Sequence, residues 1–444
     1  MPTVGLSMIV KNAEKDIPHC LSSAKPVADQ IVVVDTGSTD RTKEAAAQLG
    51  AQVFSIPWEN HFAKARNAAI GFMTTDWVLV LDPDEELSRE AAAKMRSLLV
   101  CDENTAGYLA VQRNYMKPDS KWISSQTLHP WMGGVERAEG AKFYIDNPSC
   151  RLFRRSPQIF YSHRIHEMVD PQIHALGMTI QPSDLVIHHF GYLVDSGSRQ
   201  AKDHRYLELI KLAVEEEPDN GWNWMQLGMA QITLLKEADA AMRSYRRASE
   251  LCVGNLDPWV CLASLHLERQ EYPEAIEAIS HLPNEGAPGV IRQSMTGDAL
   301  HGLGRLDEAR RAYAAALALA RLNPLNNGMG TDVFVESKLG YTEVRLGMAE
   351  SGLDKLRRAV KAAPDITDNH DRLVKALVLA QRSAEAAEAA EAAIPYTQTE
   401  SAFSRAAALR MHLGDREQAR KLLDEGIRLF PDSERLGKLR ASIP

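Results

Sequence analysis

Five residues in this 444-residue chain carry the strongest hint of chemistry: Asp82, Pro83, Asp84, Glu85 and Glu86 directly follow the apolar run Val78–Leu81. Four carboxylates this close repel one another unless positive charge offsets them, so the cluster expects a cation. Pro83 fixes its own φ and keeps the backbone out of a helix, which puts Asp82 and Asp84 on one side of a tight turn. Carboxylates at the carboxyl end of a strand sit where open α/β sheets bind ligands. Hard oxygen donors suit Mg2+ or Mn2+, which keep a few protein carboxylates and complete their shell with water and phosphate oxygens. The plainer alternative is a helix start, because Asp84, Glu85, Glu86 and Ser88 precede SREAAAKMRSLL and acids favour the positive end of a helix dipole.

The elements that position these acids are legible upstream. GLSMIV, QIVVVD, AQVFSI and WVLVLD are short apolar runs that predict strands, and KEAAAQLG, FAKARNAAIGFM and SREAAAKMRSLL predict the helices between them. Strict alternation implies right-handed crossovers and an α/β domain over residues 1–200 with a mostly parallel, Rossmann-like sheet covered on both faces.

Past residue 200 the strands vanish and the chain repeats itself. Small residues recur at Ala241, Ala275, Ala309, Gly352, Ala386 and Ala419, and again at Ala248, Ala316, Ala359, Ala393 and Gly426, with Leu282 holding the equivalent place in its unit. Leu227-Gly228, Leu262-Ala263, Thr296-Gly297, Leu339-Gly340, Leu373-Val374 and Ala406-Ala407 mark a third register. This pattern resembles the tetratricopeptide repeat, which implies an all-α superhelix of stacked helix pairs over residues 201–444. Its concave side is a common peptide-binding surface, and simple support or dimerisation is the bland alternative.

Bulk properties exclude several classes. A net charge of −8 with no Lys/Arg-rich run lacks the footprint of a nucleic-acid binder. Cys20, Cys101, Cys150, Cys252 and Cys261 never form a CxxC, which predicts reduced thiols rather than a disulfide framework. Neither a signal-like N-terminus nor a transmembrane run of ~18 apolar residues is present, so the expectation is a cytoplasmic protein. Whether copies associate as a homo-oligomer is open.

Four motifs in order, MIVKNAE, VVDTGSTD, FAKARN and VLVLDPDEE, resemble glycosyltransferase family 2 with the GT-A fold, over about residues 3 to 200. The set is also similar to bacterial transferases that glycosylate cysteine or serine of small peptides. The resemblance implies a hexosyltransferase that moves sugar from a UDP-sugar to a peptide or protein side chain, or to a saccharide acceptor. It implies that Asp35 contacts the uracil or ribose, that Arg66 and Asn67 brace the nucleotide pocket, and that Asp84 ligates Mn2+ or Mg2+. Asp82 would take the ribose or a metal-bound water and counts with the metal set. Asp40 is read as a cap for the helix beginning at Arg41, and Lys64 as a solvated position.

In PSCRLFRRSPQIFYSHRIHEMVD, the resemblance makes Glu167 the general base of an inverting transfer, its plainer reading being an ion-paired glutamate. HRIHE does not have the order of a HExxH zinc helix. His189, at the end of DLVIHHFGYL, is expected as a third metal ligand or a phosphate contact, with a core histidine as the alternative. Trp122 and Trp131 lie in a long glycine-containing segment and either close over substrate or pack on the sheet. Two rivals remain: a sugar nucleotidyltransferase, weakened because IVKNAEKDI has no glycine, and a non-catalytic scaffold built on a relic nucleotide-sugar domain.

Overall fold

The computed structural model describes residues 2–117, 129–193, 196–322, 331–364, 366–397 and 399–443, and the side chains of 129–130, 196–202 and 331 are not described. The chain divides into two compact units, Met1–Glu237 and Ala238–Pro444.

In the first unit the strands are β1 Val4–Val10, β2 Gln30–Asp35, β3 Gln52–Ser55, β4 Trp77–Val80, β5 Glu85–Leu87, β6 Thr105–Met116, β7 His129–Pro130, β8 Phe143–Arg154 and β9 Thr179–His189. They form one sheet in the order β3-β2-β1-β4-β8-β6-β9-β5, with β7 beside β8. The expected alternation is present: α2 (Thr42–Gln48), α3 (Phe62–Gly71) and α4 (Arg89–Leu98) fall where the helical patterns lie. The sequence reading leaves α1 (Ile17–Ala24) unassigned, although Ile17, Cys20, Leu21 and Ala24 form a buried stripe at helical spacing.

β1, β2, β3 and β4 are parallel, as expected, and this puts the carboxyl ends of β1, β2 and β4 on one edge. The sheet then becomes mixed, because β8 runs antiparallel to both β4 and β6. β9 follows the short helix Asp170–Ala175 and lies parallel to β6, while β5 at the far edge runs antiparallel to β9. Successive residues of a strand face opposite sides. Leu6 and Met8 accordingly enter one apolar layer with α1 and α4, while Ile9 joins the other with α3.

The register of the added strands builds the site. Glu85 pairs with His189 and His189 with Asn114, so three strands bring these side chains into one row. Leu79 lies opposite Leu152, which carries Arg151 toward the end of β4. The first unit also holds α5 (Asp170–Ala175), α6 (Ser196–Glu216) and α7 (Gly221–Ala230).

The second unit holds α8 (Ala238–Leu251), α9 (Asp257–Glu268), α10 (Tyr272–Ser280), α11 (Gly286–Gly302), α12 (Leu306–Leu322), α13 (Thr331–Arg345), α14 (Ala349–Ala362), α15 (Thr367–Leu379), α16 (Ser383–Thr397), α17 (Glu400–His412), α18 (Arg416–Leu429) and α19 (Glu434–Ala441). The repeated small positions are its packing points: Ala241, Ala275, Ala309, Ala386 and Ala419 are all fully buried. Glycine is needed at two of them for contact rather than φ. A Cβ on Gly352 would stand 2.4 Å from the Gly340 carbonyl, and one on Gly297 would stand 2.4 Å from the Tyr313 ring.

Candidate functional site

Each of the four clustered acids meets a positive or polar side chain from outside the loop. Asp82 Oδ1 accepts from Arg66 Nη2 at 2.8 Å, and its Oδ2 lies 3.7 Å from Arg151. Glu85, wholly buried, takes Arg151 Nη2 at 3.0 Å and also accepts from Gln112. Glu86 pairs with Arg137 at 2.7 Å, and the same guanidinium reaches Asp16. Asp84 faces His189 Nε2 at 3.4 Å. Burial alone would raise the Asp82 pKa, but Arg66 and Arg151 override it and hold the carboxyl far below its usual range. For Glu85 burial wins over Arg151 and the pKa is raised. One carboxylate in the loop is thus kept ionised and the other is a buried support.

Arg66 links two of the expected site residues. It projects from α3 with its side chain only 8 % exposed, and its Nε donates to Glu167 Oε1 at 2.5 Å while Nη2 holds Asp82. Glu167 sits at the end of a turn closed by the reciprocal backbone bonds of Ser162 and Met168. Within that turn His163 and His166 adopt φ of 73° and 53°, a region non-glycine residues seldom occupy. The turn is held by Phe62 N donating to the Arg164 carbonyl at 2.8 Å and by Arg164 donating to the Asn60 carbonyl at 2.6 Å.

Asn67 does not face the cavity. Its amide clamps the backbone of Tyr161, donating to the carbonyl at 2.9 Å and accepting from the N–H at 2.8 Å. Asp35 is also absorbed by structure: it is 1 % exposed and accepts from Gly37 N and Ser38 N at 3.1 Å. Gly37, at φ 110°, supplies the left-handed backbone that this turn requires. Asp40 stands at the start of α2 and accepts from Thr42 N at 3.1 Å, while Lys64 is exposed and paired with Glu59. Trp131 packs on the sheet, edge-on to Tyr115 at 4.7 Å between ring centres. Trp122 lies outside the described residues.

The chemistry of the Asp84–His189 pair bears on the expected cation. Asn114 donates its Nδ2 protons to the carbonyls of Gln112 and Ile145, at 3.1 and 3.3 Å, which leaves its Oδ1 as an acceptor 2.6 Å from His189 Nδ1. His189 must therefore donate through Nδ1, and in the neutral ring the lone pair on Nε2 points to the Asp84 carboxylate. Two lone-pair donors 3.4 Å apart call for a cation or a proton between them. Burial would lower the His189 pKa, yet the hydrogen bond and charge of Asp84 raise it overall. Gly191 leaves the space open, since a Cβ there would stand 2.6 Å from His189 Nε2 and 2.7 Å from Asp84 Oδ2. The donor set fits Mg2+ or Mn2+ with water and phosphate oxygens in the other positions. Among the described residues no three His, Cys, Asp or Glu side chains form a complete ligand set by themselves.

Arg66, Asp82, Asp84, Glu167 and His189 line one cavity of about 700 Å3, together with Lys11, Asn12, Arg151 and Asp170. That size is ordinary for a small-molecule site, ~300–1,000 Å3. Arg137, Gln112, Asn114 and Arg151 are not singled out by the sequence patterns. The basic strand CRLFRR is a weak signal for Arg151, sheet register places Gln112 and Asn114, and Arg137 comes from the turn Glu136–Ala138.

Comparison with known proteins agrees with this architecture. Residues 6–159 match the model of glycosyl transferase family 2. A TPR repeat-containing protein of Synechococcus elongatus is 28 % identical over 64 % of this chain and 76 % of its own length. The SPbeta prophage-derived glycosyltransferase SunS of Bacillus subtilis is 24 % identical over 61 % of this chain and 60 % of its own. An uncharacterized glycosyltransferase of Rickettsia typhi is 36 % identical over 25 % of this chain and 38 % of its own. The match thus spans less than two thirds of the length of the last two relatives. No helix among the described residues is long and apolar enough to cross a membrane. The first unit of this chain carries a glycosyltransferase family 2 domain of GT-A α/β layout, and tetratricopeptide repeats follow it.

Proposed function

We propose that the chain is an inverting, metal-dependent glycosyltransferase that moves a hexose-type sugar from a UDP-sugar to a peptide or protein side chain, or to a saccharide. The observation that carries this reading is the meeting, in one cavity, of an oriented Asp84–His189 pair and the Arg66–Glu167 pair. Asp84 and His189 would hold Mn2+ or Mg2+, with Asn114 orienting the imidazole. The cation supplies Lewis-acid neutralisation of the charge that develops on the departing diphosphate.

The chain's own residues do the rest. Asp82, kept ionised by Arg66 and Arg151, accepts a hydrogen bond from a ribose hydroxyl. Asp35 supports the nucleotide side by fixing the turn after β2, and Asn67 supports the acceptor side through Tyr161. Glu167 removes the acceptor's proton as the acceptor attacks the anomeric carbon from the face opposite UDP, a role worth ~10²–10⁴-fold. Arg66 aims that carboxylate. The repeats present the acceptor or mediate assembly, and the work is cytoplasmic.

The test is UDP release from a panel of UDP-sugars with Mn2+ and without acceptor, followed by chromatography. Metal-dependent release that Asp84→Asn lowers at least ~100-fold supports the reading. Undiminished release by Asp84→Asn overturns the metal assignment.

A further inference from the structure

A smaller space adjoins the cavity. Of about 110 Å3, it shares Ile9, Lys11 and Phe62 with the large cavity and is closed by Thr36, Trp58 and Arg205. Arg205 belongs to α6, the helix that the sequence assigns to the repeat region. In the structure α6 is docked on the first unit: Leu207 and Ile210 join Ile165 in one apolar cluster with Trp58 and Phe62 packed against it. Arg164, from the turn that presents Glu167, donates to Glu216 at the other end of the same helix.

Arg205 is exposed, its guanidinium lies 5.9 Å from the centre of the Trp58 ring, and it forms no ion pair among the described residues. Its neighbour Glu208 is taken by Lys211 at 3.1 Å. Lys11, at the end of β1, is likewise exposed and without an ion pair among the described residues. The other cations of the large cavity, Arg66 and Arg151, are already committed to Asp82, Glu85 and Glu167. Lys11 on the shared wall and Arg205 in the small space are therefore two positive charges from separate elements, neither taken up by an ion pair among the described residues.

We infer that α6 completes the donor site: Arg205 and Lys11 close from opposite sides on the phosphates of a nucleoside diphosphate, whose base lies against Trp58 and Phe62. This rests on the donor reading above. A base is a flat π-surface that stacks on aromatic rings regardless of its identity, and Arg binds phosphate through paired, charge-assisted hydrogen bonds. A ligand with its base in the small chamber runs through the shared wall of Ile9, Lys11 and Phe62 into the space that contains Asp84. The helix that leads into the repeats would then contact the donor directly.

The experiment is calorimetric titration of the full chain with UDP and, separately, with uridine, in the presence of Mn2+. Arg205→Ala is expected to weaken UDP at least ~10-fold, equal to ~1.4 kcal/mol, and to leave uridine within about twofold of wild type. Arg205→Lys should recover part of the loss, and the difference should shrink as salt is raised, because the contact is electrostatic and partly exposed. Unchanged UDP affinity in Arg205→Ala overturns the inference while the donor reading stands. Equal losses for UDP and uridine overturn it as well, since a merely structural role would move both. A wild-type chain that binds no nucleoside diphosphate overturns the donor reading itself.

Discussion

Arg66→Met removes a side chain that holds both Asp82 and Glu167. Removing one partner of a buried ion pair costs about 3–5 kcal/mol, because the charge left behind is desolvated and unpaired. The exposures here, 8 % for Arg66, 29 % for Asp82 and 11 % for Glu167, leave some water access, and Arg151 stays 3.7 Å from Asp82. The low end applies, about 3 kcal/mol. For a unit of this size each kcal/mol moves Tm by ~2–4 °C, so the melting of Met1–Glu237 should fall by ~6–12 °C.

The pH dependence has a definite sign. Burial opposes ionisation of Asp82, but Arg66 and Arg151 hold its folded pKa far below the unfolded value of ~3.9, so its contribution is present above that value and is lost as pH falls toward the folded pKa. The gap between wild type and Arg66→Met should therefore be full near neutrality and narrow below about pH 4. Differential scanning calorimetry of the full chain resolves this, since the two units are separately compact. A loss under ~1 kcal/mol, or a gap that ignores pH, would refute the reasoning. Adding Asp82→Asn to Arg66→Met should restore part of the stability, because one stranded carboxylate is then neutral.

Three further outcomes follow from single contacts. Gly191→Ala places a methyl 2.6 Å from His189 Nε2, so Mn2+ affinity read by electron paramagnetic resonance should fall at least ~10-fold. Glu167→Gln keeps the acceptor oxygen for Arg66 but not the basicity, so transfer should drop ~10²–10⁴-fold while UDP affinity in calorimetry stays within about twofold. Gly297→Ala drives a Cβ to 2.4 Å from Tyr313 and should destabilise the repeat unit by ~1–3 kcal/mol, read as a lower second transition with UDP binding unchanged.

Much of this architecture is legible in local pattern. Buried parallel strands read as apolar runs, and β1, β2 and β4 lie where GLSMIV, QIVVVD and WVLVLD predict. Repeat packing is equally local, because a small residue at each helix crossing is demanded once per unit, and Ala241, Ala275 and Ala309 are buried as that spacing requires. The partners of the acids are not local. Arg151 and His189 reach the loop because β8 and β9 add to the sheet in a particular register, and nothing in a short window states which strands will pair. The local partners of Asp35 and Asn67 are equally hidden from a short window: the first accepts from the backbone N–H groups of Gly37 and Ser38, and the second clamps the backbone of Tyr161.

The most direct test of the central claim is the melting temperature of wild type and Asp84→Asn with UDP, with Mn2+, and with both. Binding at a hundredfold excess over Kd adds ~2.7 kcal/mol, a rise of ~5–11 °C for a unit of this size. That rise is expected in wild type only when UDP and metal are present together, and it should be lost in Asp84→Asn. A rise that needs no metal or survives in Asp84→Asn, or no rise with any nucleotide, would contradict the metal-dependent donor reading.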